Sequence, residues 1–194
     1  TALARGTAEV KAIPLYGDSR ACMVDVDGGA YEEPENYETQ MILDFESYEL
    51  DWSEGYGAFS WATETWSKAG NPETNMINGS THVFSWDRGA SFGGGFGIGF
   101  PAVSTLGWAR LSMMVYASSA VDEVQLEFYD DTTLLSTYKS EISVPAHSWT
   151  QLVFSLEELE LLNKQLTKLH FMPGVGTQEE YNVLLDNVWL EQGT

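Results

Sequence analysis

The chain has 194 residues, of which 29 are Asp or Glu and nine are Lys or Arg, giving a formal charge of −20. So few cations exclude nucleic acid, whose binding depends on neutralising phosphates with Lys and Arg, and they argue equally against anionic membranes and heavily anionic polysaccharides. Aromatic residues make up 13% of the chain, Gly is frequent and few windows show helical periodicity, so an all-β protein with many turns is predicted. A neutral ligand or a cation suits such a surface better than an anion.

Length allows one domain with a sizeable core, or a domain of roughly 150 residues plus an extension, and the local composition favours the second. Residues 1–40 hold two short strand candidates, Ala8 to Leu15 and Arg20 to Val26. An acidic, turn-rich stretch from Asp27 to Glu38 follows and reads as a solvated linker, the alternative being a loop that binds Ca²⁺ through several carboxylates, though without EF-hand spacing. Residues 1–40 are therefore expected to be an N-terminal extension or linker, and 41–194 the main domain. Cys22 is the sole cysteine, so no intrachain disulfide forms. No apolar run approaches the ~18 residues that would span a bilayer, which predicts no membrane insertion, and the N-terminus shows no signal-peptide pattern. Thr1 stands where Met would open an unprocessed chain, so a processed or excised form is expected.

Within the main domain, Met41 to Ser47 alternates as a strand, with Met41, Leu43 and Phe45 on one face and Ile42, Asp44 and Glu46 on the other. Trp52, Tyr56, Trp61 and Trp66 then lie among Gly, Ser, Thr and acids, with few aliphatics to pack on. Thr81 to Trp86 is a strand. Gly95-Phe96-Gly97-Ile98-Gly99-Phe100 alternates Gly with large apolar residues, as in a strand whose outer face is bare so that something can approach its backbone. It is not a nucleotide loop, because no Lys-Ser/Thr follows. Ala109 to Tyr116 and Glu123 to Tyr129 are the clearest strands. Their alternation sends Ser112, Met114 and Tyr116, with Gln125, Glu127 and Tyr129, to the face opposite the core. Tyr, amide and carboxylate on an open face match the needs of sugar rings and hydroxyls. Asp130-Asp131-Thr132-Thr133 is a turn, Trp149 to Ser155 a strand, and Ser155 to Leu162 a short helix with Ser155 as N-cap and Glu158 at capping-box spacing. Lys168 to Met172 is a further strand. The last, Val183 to Leu190, is read with Leu184, Asp186, Val188 and Leu190 on one face and Leu185, Asn187 and Trp189 on the other. Asp186 then shares an apolar face, and such a carboxylate needs a rim position or a partner, which a cation can supply. Pairing this strand with Met41 to Ser47 would close one sheet.

Leu43-Asp44-Phe45-Glu46, the 149–155 strand, Leu169-His170-Phe171-Met172 and Leu185-Asp186-Asn187-Val188-Trp189-Leu190 together resemble carbohydrate-binding modules of the β-jelly-roll, galactose-binding-like type, most like family eleven. The resemblance runs from residue 41 to 192 and implies a jelly-roll β-sandwich of two antiparallel sheets. It implies a structural Ca²⁺ at Asp44, Glu46 and Asp186, and hard oxygen ligands are what Ca²⁺ uses. Acceptance of backbone N–H bonds by these same acids is the alternative. It further implies a glycan cleft with Trp86, Tyr116 and Tyr129, beside His170 and Met172, as the contact residues. Gln125, Glu127 and Asp131 would read hydroxyl positions. Pro173 replaces an aromatic of the family pattern, leaving Trp52, Tyr56 or Trp61 to supply that platform. Trp149 and Trp189 are assigned to packing, and Asn187 to hydrogen bonding at a strand end.

The resulting expectation is non-catalytic binding of a neutral polysaccharide by an extracellular or cell-surface accessory module of a larger multimodular protein. Two other readings stay open. One is a structural or adhesive module that docks a protein through the same aromatic face. The other is a glycoside hydrolase or lyase, with Glu127 and Asp130 as a conceivable acid and base. Against it, His82, His147 and His170 are dispersed, and there is no Gly-x-Ser-x-Gly elbow.

Overall fold

The computed structural model describes residues 6–12, 20–26, 38–47, 57–61, 65–75, 77–89, 94–174 and 180–192. The chain divides into two compact units, Thr1–Asn36 and Tyr37–Thr194. The first carries an antiparallel pair, β1 (Gly6–Ala12) with β2 (Arg20–Val26). β2 matches the candidate Arg20 to Val26, and β1 covers residues 8–12 of the candidate Ala8 to Leu15, whose residues 13–15 lie outside the described residues.

Among the described residues the second unit holds eleven strands: β3 (Thr39–Leu43), β4 (Ala58–Ser60), β5 (Thr65–Gly70), β6 (His82–Arg88), β7 (Phe96–Ser104), β8 (Arg110–Ala117), β9 (Val121–Asp130), β10 (Thr133–Val144), β11 (Thr150–Ser155), β12 (Gln165–Pro173) and β13 (Tyr181–Glu191). They form two antiparallel sheets. A five-stranded sheet has the order β10-β9-β12-β7-β4, and a six-stranded one the order β11-β8-β13-β6-β5, with β3 also paired to β13. This is the expected all-β jelly-roll sandwich. Inward residues of both sheets make one core, including Phe45, Phe84, Trp86, Phe96, Phe128, Phe171 and Leu185. Among the described residues no helix is long and apolar enough to cross a membrane.

β13 is the strand on which the six-stranded sheet converges. Its first half pairs with β6, its last four residues with β3, and its other edge with β8. The pairing of the first and last strands of the domain is therefore present. Strict alternation along β13 is not, because Asn187 has φ of 44° and the register with β8 shifts between Asp186 and Trp189. One extra residue reverses the parity of everything after it. Leu184, Asp186 and Trp189 thus share the outer face, while Val183, Leu185, Val188 and Leu190 fill the core. A matching shift in β3 turns Met41 outward opposite Trp189 and leaves Leu43 in the core opposite Val188.

The helix expected at 155–162 is not formed. Ser155 Oγ does accept from Glu158 N–H at 3.4 Å, and Leu159 N–H donates to Ser155 O at 3.0 Å, but Glu160 enters the left-handed region with φ of 57°. Leu156, Leu159 and Leu161 are all fully buried, and burying three leucines in this short span requires a tight turn where a helix would present one stripe.

Candidate functional site

The outer face of the five-stranded sheet gathers most of the expected contact residues, and the registers give them row by row. Glu127 of β9 stands opposite His170 of β12, which stands opposite Gly97 of β7, which stands opposite Phe59 of β4. In the adjacent row Gln125 faces Met172, and Trp61 reaches Gly95 through a 3.1 Å bond from its N–H to the Gly95 carbonyl. In the third row Tyr129 faces Lys168 and Lys168 faces Gly99.

The alternating glycines of β7 have a definite use here. Phe96, Ile98 and Phe100 enter the core, and the bare outer surface is covered by the protein's own rings. A Cβ on Gly97 would lie 2.4 Å from Phe59 Cζ and 2.7 Å from His170 Cδ2; one on Gly95 would lie 2.5 Å from Met172 Cγ and 2.8 Å from Trp61. What approaches the backbone is thus Phe59, Trp61, His170 and Met172. His170 sits among aromatic rings: Phe59 at 5.2 Å and 89°, Trp61 at 5.2 Å and 82°, and Tyr129 at 4.4 Å. Half-buried Phe59 and Trp61 are themselves in edge contact at 5.4 Å.

Glu127 is the polar hub. Its Oε2 accepts from the Tyr129 hydroxyl at 2.7 Å and from His170 Nδ1 at 3.1 Å, and its Oε1 accepts from Gln125 Nε2 at 3.3 Å. A carboxylate only accepts, so the proton of His170 is on Nδ1. Nε2 is buried with no hydrogen-bond partner among the described residues. Burial accordingly holds the imidazole pKa below its usual value, against the opposing pull of Glu127. Burial, then the bond to Glu127, pushes Tyr129 up to about 12, so its hydroxyl remains a donor. The Lys168 ammonium lies 5.1 Å from the Tyr129 ring centre. Asp131 is exposed in the β9–β10 turn with φ of 52°, at the end of this face, and its N–H donates to Thr167 Oγ1 at 2.6 Å.

Two expected contact residues lie elsewhere. Trp86 is wholly inaccessible and packs on Phe96 at 5.5 Å in the core. Tyr116 is on the outer face of the other sheet, because β8 and β9 are consecutive in sequence but belong to different sheets. There it contacts Trp149 at 5.6 Å and His147 Nδ1 at 3.4 Å. Trp149 packs as expected, with its Nε1–H bonded to Asn71 Oδ1 and Glu73 O. Trp52 and Tyr56 lie outside the described residues. Phe59 and Lys168 belong to the face but were not expected; Phe59 is two positions before Trp61 and so shares its side of the strand.

The acids assigned to Ca²⁺ divide. Asp186 is fully buried; its Oδ2 accepts from Asn187 Nδ2 at 3.1 Å, and its Oδ1 has no partner among the described residues. Burial raises its pKa against the opposing pull of hydrogen bonds from the Ser80 and Asn78 side chains and the Asn187 N–H, with the Asp44 charge a smaller push upward. A buried carboxylate whose ionised form burial disfavours, near a second carboxylate, is of the hard-oxygen type that Ca²⁺ uses. Asp44 itself closes a turn, accepting from Glu46 N–H at 2.8 Å and Ser47 Oγ at 3.2 Å. Glu46 does not fit. Its carboxylate accepts from the Thr81 N–H, from Thr81 Oγ1 at 2.8 Å and from the His82 N–H at 2.8 Å, fastening the start of β6. Among the described residues no three His, Cys, Asp or Glu side chains form a metal-holding group.

These bonds hold Glu46 down at about 2, led by the His82 backbone N–H. A depressed carboxylate pKa stabilises the fold above the unfolded value of 4.5, and that contribution is lost as pH falls from there through about 2. Asp186, shifted the other way, gains on protonation and opposes the loss. Wild type should therefore lose more stability than Glu46→Gln between pH 5 and 2, with the difference shrinking in high salt because Glu46 is exposed. Parallel acid melts of the two proteins check this.

No protein-family model matches the chain, and no curated protein sequence matches it. Solved structures do. The family 11 carbohydrate-binding module from Clostridium thermocellum, in complex with a beta-1,3-1,4-mixed-linked tetrasaccharide, is similar at TM-score 0.53 and 13% identity, over 80% of this chain and 96% of that one. A family 29 carbohydrate-binding module, solved as a point mutant, gives TM-score 0.52 and 11% identity over 81% and 94%. An exo-beta-agarase gives TM-score 0.58 and 11% identity over 79% of this chain but 25% of its own. The chain therefore has the jelly-roll fold of these carbohydrate-binding modules, and its likeness to the larger agarase extends to only a quarter of that protein.

Proposed function

We propose that the outer face of the five-stranded sheet binds a neutral polysaccharide of the β-glucan kind without cleaving it. The observation that carries this is the row structure: Trp61, Phe59 and Tyr129 present rings around a fixed Gln125–Glu127–His170 hydrogen-bond set on one sheet face. Rings of this kind stack on the apolar faces of sugars, and amide and carboxylate groups bond their hydroxyls. The module from Clostridium thermocellum, solved in complex with a beta-1,3-1,4-mixed-linked tetrasaccharide, supports the reading by its fold. Catalysis is less well supported, since strand alternation turns Asp130 away from the side of β9 that carries Glu127, and Glu127 is committed to three internal hydrogen bonds. In this reading the protein is an extracellular or surface accessory module of a larger glycan-processing system. A Ca²⁺ would be held by Asp44 and Asp186, where it would neutralise the buried carboxylate and brace β3 against β13.

Affinity electrophoresis through gels containing mixed-linkage β-glucan, xyloglucan, mannan, xylan or pectin tests the reading. A neutral glycan should retard the wild type, and Trp61→Ala should weaken retardation at least tenfold, about 1.4 kcal/mol. Retardation by pectin alone, or by none of the five, would sink it. Chelator should lower Tm in the wild type and leave Asp186→Asn unchanged; equal Tm with and without chelator in the wild type would remove the Ca²⁺.

A further inference from the structure

The parity reversal at Asn187 does more than reposition one tryptophan. On the outer face of the six-stranded sheet, across the sandwich from Trp61 and Tyr129, it helps form an open pocket of about 380 Å³ lined by Met41, Ile77, Met114, Trp189, Gln151 and Asn187, with Thr39 at its edge. That volume lies within the range of roughly 300–1,000 Å³ usual for small-ligand sites. Nothing in the reading of the first face uses it.

Three features give this pocket a chemistry. First, the indole is fixed. Trp189 Nε1–H donates to Glu191 Oε1 at 2.7 Å, and the same oxygen accepts from Ser112 Oγ at 2.7 Å, with Ser112 fully buried in the sheet. The polar atom of the ring is therefore satisfied internally, and the ring contributes apolar surface. Second, the apolar lining is left partly in water: Met41 is 50% and Ile77 51% exposed. Third, among the described residues no ionisable side chain lines the pocket, although the chain carries a net charge of −20. The uncharged polar groups there that can both donate and accept toward a ligand are the Gln151 amide and the Thr39 hydroxyl, since the Asn187 Nδ2 is already bonded to Asp186 Oδ2, Ser80 Oγ and Asn78 Oδ1. A purely aliphatic ligand would strip water from the Gln151 amide and the Thr39 hydroxyl without replacing it, and an ion would find no counter-charge. A neutral sugar ring has an apolar face for Trp189 and the thioethers, and hydroxyls for the Gln151 amide and Thr39.

We propose that this pocket is a second, independent binding site for a single neutral pyranose, such as a glycan chain end or side residue. Two sites on opposite faces let one module hold two glycan segments, so that binding to a multi-chain matrix exceeds the affinity of either face without any new contact.

The test uses the full chain labelled with ¹⁵N and titrated with methyl β-glucoside, methyl β-mannoside, methyl β-galactoside and methyl β-xyloside, following the Trp189 Nε1–H resonance. Trp61→Ala serves as the background, so that the first face is disabled. At least one glycoside should shift the Trp189 signal in a saturable, millimolar-range titration. Met41→Lys, at a half-exposed position that leaves the core intact, should abolish the shift while the melting temperature holds. Gln151→Ala, at an exposed position, should weaken it roughly fivefold and serves as the second variant should Met41→Lys fold poorly. The proposal is overturned if no glycoside moves the Trp189 resonance, or if the shift survives in both variants. A signal silent to every glycoside but moved saturably by n-hexanol would likewise overturn it, in favour of an aliphatic site. Retardation of wild type by polysaccharide with a silent Trp189 would refute this site and leave the first face standing; the converse result would do the opposite.

Discussion

Trp86→Ala should lower the stability of the sandwich by about 3–5 kcal/mol, the range for emptying a buried aromatic position, while leaving glycan retardation of the folded fraction unchanged. Trp86 has no accessible surface, contacts Phe96 at 5.5 Å, and is paired in register with Val183 on one side and Trp66 on the other, so it joins three strands of the six-stranded sheet. For a unit of this size each kcal/mol moves Tm by roughly 2–4 °C, so a fall on the order of 10 °C is expected. The indole N–H has no hydrogen-bond partner among the described residues. Trp86→Phe removes that buried donor while keeping much of the ring, and should therefore cost far less than alanine. Thermal melts of the three proteins, with gel retardation at low temperature, decide the matter. Lost retardation with an unchanged Tm would return Trp86 to the ligand face.

That tryptophan marks where sequence reasoning reaches its limit. Alternation within a strand shows which side chains travel together, and it correctly grouped Gln125, Glu127 and Tyr129, and set His170 beside Met172. It carries no information on which sheet a strand joins. Tyr116 was grouped with Tyr129 because β8 and β9 are neighbours in sequence, yet the connection between them crosses from one sheet to the other. Alternation also assumes an unbroken period, and the φ of 44° at Asn187 broke it for Trp189. An Asn is among the few residues that tolerate that conformation, so the position was a legible place for a bulge. The segment at 155–162 had a genuine N-cap signal, and one cap bond did form. The burial of Leu161 alongside Leu156 and Leu159 then outweighed local helix preference, a tertiary effect that no cap rule contains. Glu46 shows a related limit: a carboxylate's sequence position says that it needs a cation or donors, and the Thr81 and His82 groups that donate to it are 35 and 36 residues away. The glycine alternation around β7 is visible in the sequence, but its occupant is not, since Phe59 and Trp61 reach it from β4 and the residue after it, and a strand of three residues is too short to show a period.

The same glycines give the second large effect. Gly95→Ala places a methyl group 2.5 Å from Met172 Cγ, 2.8 Å from Trp61 and 2.9 Å from the Phe171 carbonyl oxygen. The Met side chain can swing aside, but the carbonyl belongs to β12, the neighbouring strand of the sheet, and cannot move without disturbing the ladder. Overpacking of this kind costs about 1–3 kcal/mol, so a fall in Tm of roughly 2–12 °C is expected. The more telling consequence is on binding. Relief on the Trp61 side lifts the indole from its bed and from its edge contact with His170 at 5.2 Å, and a stacking platform displaced by a fraction of an ångström no longer matches a ring held by Gln125 and Glu127. Retardation by the cognate glycan should fall at least fivefold, about 1 kcal/mol. Gly70→Ala is the control, because a methyl group there meets nothing within 4 Å and should leave both quantities essentially unchanged. Gly97→Ala meets Phe59 and His170 in its place, and its effect on retardation should follow the Phe59 ring. If Gly95→Ala melts lower but is retarded like wild type, Trp61 is a structural ring and the platform must be sought along the Phe59–Tyr129 part of the face.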